Sequence, residues 1–193
     1  SPSANIVSQA YKLLESGQMD LALKRFEQAL AQDADNLPAQ LGQGMIFLEQ
    51  QLHEDAFKSY DQIVQHYPNH TLAWNRRGLA AFNLENFDEA LTSFKRATVD
   101  QPVNGFFYES LAWTQLCRGE YPEAAFAAKQ ATLMYHQNGE TAAYPLLIAY
   151  FSQLEQGQHD EARRTLNYAQ NNKPGKNAWP SPVFEYLSGG LTI

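Results

Sequence analysis

Alanine recurs every 34 residues along this chain, at Ala22, Ala56, Ala90 and Ala124. The columns around it keep the same register. Two positions earlier stand Asp20, Glu54, Asp88 and Pro122; four later stand Phe26, Tyr60, Phe94 and Ala128; seven later stand Ala29, Ile63, Ala97 and Ala131. A coincidence in one column is easy, but agreement across four is not. A period of this length holds one helix–turn–helix unit. Such a unit cannot bury its apolar face alone, so neighbours must stack into an all-α solenoid.

The breakers fall where such units would meet. Units of about 3–36, 37–70, 71–104 and 105–138 place Pro68 and Pro102 just after a second helix, where proline cannot continue it. Within each unit, Gly17, Gly119 or polar residues such as Glu85-Asn86 mark the turn between helix A and helix B. Asp20, Glu54 and Asp88 then open helix B, where they are expected to cap free N–H groups and suit the positive end of the dipole. Ala10, Gly44, Gly78 and Ala112 lie 12 residues before the alanine ladder and supply the matching small position on helix A. Tyr60, Trp74, Phe87, Phe94, Tyr108 and Tyr121 fill the space around that crossing.

A fifth unit, 140–176, follows after a slip: Ala162 stands 38 residues beyond Ala124. The extra residues fall near His136-Gln137-Asn138-Gly139 and lengthen either helix B of unit 4 or helix A of unit 5. Lys173-Pro174-Gly175-Lys176-Asn177 breaks the chain, and Val183–Leu187 reads as a short helix covering the open end of the stack. The organisation expected is a repeat domain over 1–178 and a C-terminal capping helix in 179–193.

With 44% hydrophobic and 18% charged residues, the 193-residue chain has the composition of a folded protein. Its net charge of −7 argues against nucleic acid and against an anionic lipid surface as partners. No apolar run is long enough to insert into a membrane. The start, Ser1-Pro2-Ser3, lacks a methionine, which leaves room for an upstream leader or lipid anchor and leaves cytoplasmic and bacterial periplasmic or lipoprotein-associated locations both open. Cys117 is the single cysteine and is expected as a small buried thiol. His66 and His70 have a metal-binding spacing, but Pro68 between them breaks the helix that spacing needs. His53 and His159 take the turn position of Phe87 and Tyr121 and are expected to fill the aromatic role. No phosphate-cradling loop, nucleophile elbow or acid–base pair is present, so neither cofactor, metal nor catalysis is expected.

The combined pattern resembles the tetratricopeptide repeat (TPR). Unit 3 carries it best, through Trp74, Gly78, Phe87, Asp88, Glu89, Ala90, Phe94, Ala97 and Pro102, and the resemblance covers 3–174. Unit 1 departs at Ile6 and Ala34, and unit 4 at Ala128 and His136, which is expected to loosen the junction of units 4 and 5. The segment from Trp179 to Gly189 is similar to a tail found after the repeats of some bacterial TPR proteins, including Gram-negative outer-membrane lipoproteins. The resemblance implies a right-handed α-solenoid of five hairpins whose A helices line a concave groove.

Rows along that groove follow from helical spacing. One row is Tyr11, Met45, Leu79, Trp113 and Phe151; a second, four residues earlier, is Val7, Leu41, Asn75, Glu109 and Leu147. A third row, Leu14, Leu48, Phe82, Leu116 and Leu154, reads as core between helices. Tyr, Met, Trp and Phe favour interface centres. The expected function is therefore a scaffold or adaptor that takes a protein or peptide segment in an apolar groove. Glu15, Glu49, Glu109 and Glu155 at the groove ends favour basic flanks on that partner. The alternative is a self-assembling, homo-oligomeric protein. Chaperone-binding TPR proteins grip a C-terminal carboxylate with basic and amide residues, but the corresponding places here hold Val7, Tyr11, Gly42, Asn75, Leu79 and Ser110, with Arg76 the one basic contributor.

Overall fold

The computed structural model describes residues 2–175 and 178–189, and the side chains from Ser3 onward. Lys176 and Asn177, within the expected break, and 190–193, at the end of the expected capping segment, lie outside the described residues. Eleven helices and no strand are found among the described residues. They are α1 (Pro2–Glu15), α2 (Met19–Gln32), α3 (Leu37–Glu49), α4 (His53–His66), α5 (Thr71–Asn83), α6 (Phe87–Asp100), α7 (Gly105–Cys117), α8 (Tyr121–Gln137), α9 (Ala143–Glu155), α10 (His159–Asn171) and α11 (Ser181–Leu187). The chain forms two compact units that divide after Asp100. Three hairpins, α1–α2, α3–α4 and α5–α6, build the first unit; α7–α8, α9–α10 and α11 build the second.

Each hairpin turns on one left-handed residue: Gly17, Gln51, Glu85, Gly119 and Gly157, with φ between 58° and 76°. The amide of that residue reaches back three positions, as in Gly17 N–H to Leu14 O at 2.9 Å, and the next amide reaches back five, as in Gln18 N–H to Leu13 O at 2.9 Å. This Schellman pair satisfies the last carbonyls of helix A and aims the chain directly into helix B. Two of the five turns use a side-chain-bearing residue where glycine is the cheap choice.

A second 34-residue ladder caps the A helices. Asn36 Oδ1 accepts from Ala39 N–H at 3.1 Å, His70 Nδ1 from Ala73 N–H at 3.1 Å, and Asn104 Oδ1 from Phe107 N–H at 3.3 Å. The B helices start differently from what the sequence suggests. Asp20 and Glu54 lie inside the first turn, where their charge suits the dipole, but Gln18 and Leu52 occupy the cap positions and make no side-chain cap bond. The carboxylate of Asp20 instead accepts a hydrogen bond from Gln50 at 3.2 Å.

Small against large is the packing rule. Phe26, Tyr60 and Phe94 project from the B helices of the first unit and are buried to 2% exposure or less. Burying a side chain of that size contributes about 1.5–3 kcal/mol. Each ring finds an A helix that yields: Gly44 faces Tyr60, Gly78 faces Phe94, and Gly42 faces Phe26 from the following hairpin.

The four-residue slip has a definite place. Helix α8 runs for 17 residues, against 14 in α2, α4 and α6, so the insertion lengthens helix B of the fourth hairpin. Gly139 closes it with the same pair of back-reaching amides. The expected loosening of the next junction is not seen, because α8 and α9 pack along one another and Ala124, Ala127, Ala128 and Ala131 are all buried. Small residues here let helices approach where an aromatic would hold them apart. Helix α11 then covers the last hairpin. Phe184 sits among Leu147, Leu166 and Ala169, Lys173 Nζ reaches Glu185 Oε1 at 2.7 Å, and Gln170 donates to Ser188 Oγ at 2.7 Å.

Candidate functional site

In the first unit the predicted rows fall on α1, α3 and α5. Tyr11 is half-buried, stands edge-on to Phe26 at 5.0 Å, and donates its hydroxyl to Pro38 O at 2.8 Å. Burial raises its pKa. Met45 and Leu79 are half-buried on the next two A helices. Leu41 packs with Tyr60, Ile63, Val64 and Ala73, together with Leu48 and Trp74. Val7 lies in the core around Phe26. Asn75 is only 1% exposed, and its Nδ2 has no hydrogen-bond partner. Helical spacing puts Leu72, Asn75, Arg76 and Leu79 on one strip of α5, so Arg76 flanks the Tyr11–Met45–Leu79 row.

In the second unit, Trp113 on α7 is half-buried and Phe151 on α9 is exposed, edge-on to Tyr150 at 5.2 Å. Glu109 hydrogen-bonds Tyr135 of α8; burial raises the Glu109 pKa and the Tyr135 bond partly offsets the rise. Leu147 is 6% exposed beneath α11. Of the ten residues in the two predicted rows, then, Val7, Asn75 and Leu147 belong to the interior. Leu41 is tied into a core cluster, and Glu109 is already engaged with Tyr135. Tyr11, Met45, Leu79, Trp113 and Phe151 keep accessible surface on the A helices. The Leu14-type row is half-buried throughout.

Chemistry-bearing groups are scattered. No cluster of three or more His, Cys, Asp or Glu that could hold a metal is found among the described residues. His66 ends α4 while His70 caps α5, so the pair straddles the turn containing Pro68. His159 is exposed and does not fill the aromatic role; His53 is half-buried with its Nδ1 unpartnered. Cys117 is exposed at the end of α7 rather than buried, and desolvation raises its thiol pKa, which lowers its thiolate fraction. No helix among the described residues is long and apolar enough to cross a membrane.

The strongest polar network centres on Arg77, which sequence reasoning passed over. Its Nε meets Asp61 Oδ1 at 2.7 Å, Nη2 meets Glu89 Oε2 at 2.6 Å, and Nη1 donates to Ser93 Oγ at 2.7 Å. The guanidinium carbon stands 4.6 Å from the Phe57 ring centroid and 5.6 Å from that of Trp74. One buried cation thereby ties α4, α5 and α6 together, with each of its three nitrogens engaged in the fork geometry that arginine offers and lysine lacks. The signal was present in the spacing. Arg77 precedes Glu89 by the same 12 residues that separate Gly78 from Ala90, the interval at which the two helices of a hairpin face each other.

Residues 7–71 and 75–145 match the tetratricopeptide repeat family, and the chain belongs to it. DnaJ homolog subfamily C member 3 of Gallus gallus is 30% identical over 136 residues, which is 70% of this chain and 26% of that protein. The chain thus spans about a quarter of that relative's length. Among solved structures, MamA superposes with a TM-score of 0.83 at 20% identity, covering 92% of this chain and 95% of that one. YrrB, a TPR protein with an unusual peptide-binding site, superposes at 0.82 with 16% identity, covering 96% and 91%. A MamA fragment from Desulfovibrio magneticus RS-1 gives 0.81 at 13% identity, covering 91% and 97%. At these identities the likeness establishes the fold, an α-solenoid of TPR hairpins, which is a scaffold suited to protein–protein interaction.

Proposed function

We propose that this chain is a non-catalytic scaffold whose A-helix faces bind segments of a partner protein. The carrying observation is the row of large, partly exposed side chains on those helices: Tyr11, Met45 and Leu79 in the first unit, Trp113 and Phe151 in the second. Aromatic and methionine side chains supply contact area at low entropic cost and adapt to irregular surfaces. An amphipathic helix or extended apolar segment fits such a face. The exposed Glu15 and Glu49 at the ends of α1 and α3 favour basic residues flanking it. The peptide-binding description of YrrB supports the same reading. Affinity capture from the native host, wild type against Met45→Ala/Trp113→Ala, tests it. A partner lost selectively from the folded double variant supports the assignment; identical capture by both proteins sinks it.

Self-assembly is the second reading. Trp179 and Tyr186, beside and on α11, are 66% and 46% exposed, an apolar end suited to another copy of the chain. Light scattering over a concentration series separates the two readings, since a strict monomer leaves that end without a self-partner.

A further inference from the structure

One column of the A helices reads Gln43, Arg77, Leu111 and Ala149, at the intervals of the repeat and its slip. In the first unit the Arg77 side chain fills the space between the B helices α4 and α6. It lies over Phe57 and Trp74 and is held by Asp61, Glu89 and Ser93. The same register on α8, α9 and α10 puts Ala125 in the place of Phe57, Lys129 in that of Asp61 and Leu146 in that of Trp74. Ala149 then stands for Arg77, Glu161 for Glu89 and Thr165 for Ser93. All six of these second-unit residues line one cavity of about 740 Å³. At the corresponding place among α2, α3 and α4, where Gln43 stands, the cavity measures about 210 Å³. The larger space is what alanine leaves at the position that arginine fills in the other groove.

The lining says what the space accepts. Leu146 and Ala149 make an apolar floor, and Phe126 borders the groove at 65% exposure. Thr165 donates to Gln153 Oε1 at 2.8 Å, which orients the half-buried amide and leaves its Nε2 as a donor for a backbone carbonyl. Past Thr132 and Thr165, the inserted turn of α8 brings His136 to Tyr168 of α10, Nδ1 to hydroxyl at 3.3 Å, and closes that end. The charge has changed sign at one place. Asp61 helps to hold Arg77, but its counterpart Lys129 repels a cation. Asp160 and Glu161 are already met at 2.6 Å by Arg163 and Arg164 of their own helix. Lys129 has no carboxylate within ion-pair distance among the described residues. The unmatched charge of the groove is therefore positive.

We propose that the groove among α8, α9 and α10 takes a segment of a partner protein in which a large apolar residue stands beside an aspartate or glutamate. The apolar side chain fills the place that Arg77 fills in its own groove, resting on Leu146 and Ala149 and against Phe126. The carboxylate meets Lys129. Burial of the apolar anchor supplies the affinity, and the charge pair sets the register of the segment. This site lies on the B-helix side, so it neither needs nor excludes the A-helix faces proposed above.

The chain itself supplies the blocking variant. Ala149→Arg/Lys129→Asp rebuilds the Arg77 arrangement in the second unit and leaves the large residues of the A-helix faces in place. Random linear peptides displayed on phage are selected on wild type after depletion on this plugged variant. The enriched peptides are expected to share one large apolar residue next to Asp or Glu. A synthetic copy should bind the plugged variant about tenfold or more weakly, and Lys129→Glu should exchange the acidic preference for Lys or Arg. Unchanged melting confirms that the variants are folded; if the double variant melts early, Ala149→Leu, carrying the residue of position 111, serves as the plug. Peptides that bind wild type and plugged protein equally, or an acidic preference that survives Lys129→Glu, overturn the assignment and leave the A-helix reading standing. So does a selection that yields no peptide specific to the open groove. Concentration-dependent light scattering that disappears in the plugged variant would give the groove to a second copy and overturn the partner segment.

Discussion

The ring of Phe94 lies directly over Gly78, so that a methyl group at position 78 would stand 2.7 Å from its Cε1. Tyr60 and Gly44 repeat the relationship in the preceding hairpin, at 2.9 Å. Both rings are buried to 2% or less and cannot swing away. Gly78→Ala gains about 1 kcal/mol of helix propensity but forces a rigid ring to move, an overpacking cost of about 1–3 kcal/mol. The expected result is net destabilisation in chemical denaturation, relieved in Gly78→Ala/Phe94→Leu. If Gly78→Ala proves more stable than wild type, the ring-over-glycine packing is not the constraint.

Arg77 offers a different kind of test. Removing one partner of a fully buried ion pair costs about 3–5 kcal/mol; here the Asp61 and Glu89 side chains are 29% and 43% exposed, so Arg77→Met should cost less, about 2–4 kcal/mol. Arg77→Lys should recover only part of that loss, because an ammonium cannot serve Asp61, Glu89 and Ser93 through one planar fork. Arg77→Met with Asp61→Asn and Glu89→Gln should regain much of it. Denaturation midpoints of the four proteins decide the matter. A full rescue by lysine would show that charge alone matters.

The turns predict gains as well as losses. Gln51 and Glu85 adopt φ of 58°, where a Cβ is crowded and glycine is not. Gln51→Gly and Glu85→Gly should each stabilise by about 0.5–1 kcal/mol after the added entropy of the unfolded chain is counted. Gly119→Ala, at φ 75°, should destabilise by a similar amount. Opposite signs at equivalent positions of the repeat are the signature to look for in thermal unfolding.

Much of this was legible in the sequence, and the reasons for the rest are physical. The alanine ladder fixed the hairpins because a close crossing admits only one side-chain size. The capping ladder of Asn36, His70 and Asn104 sat in the same register but was masked by His70, whose ring nitrogen does the work of an asparagine oxygen. The candidate faces were harder. Spacing says which residues share a strip, not how deep the strip lies. Asn75 and Met45 belong to adjacent rows, yet one is sealed in and the other half-exposed. Arg77 was lost for a related reason: its burial depends on acids contributed by two other helices.

His70 makes that capping argument measurable. His70→Ala removes the acceptor for Ala73 N–H and should cost about 1 kcal/mol, whereas His70→Asn restores the residue type found at positions 36 and 104 and should cost little. Equal losses for alanine and asparagine would mean that His70 contributes through its ring contacts instead.

The Tyr60 hydroxyl links the fold to pH. Burial pushes its pKa from 10.0 up to about 12; the nearby Arg76 guanidinium lowers it and Tyr11 adds to the rise. A raised folded-state value means that the unfolded chain releases this proton first. The stability contribution is therefore complete below pH 10 and lost as pH climbs toward about 12, at most about 2–3 kcal/mol. Tyr60→Phe has no proton to lose there, so its stability should fall less steeply than wild type over that interval. Arg76→Ala should move the Tyr60 transition higher still, seen as a delayed step in the ultraviolet titration of tyrosinate. Identical alkaline slopes for wild type and Tyr60→Phe would place the sensitivity in another tyrosine, with Tyr135, whose pKa is also raised by burial and by Glu109, the next to replace.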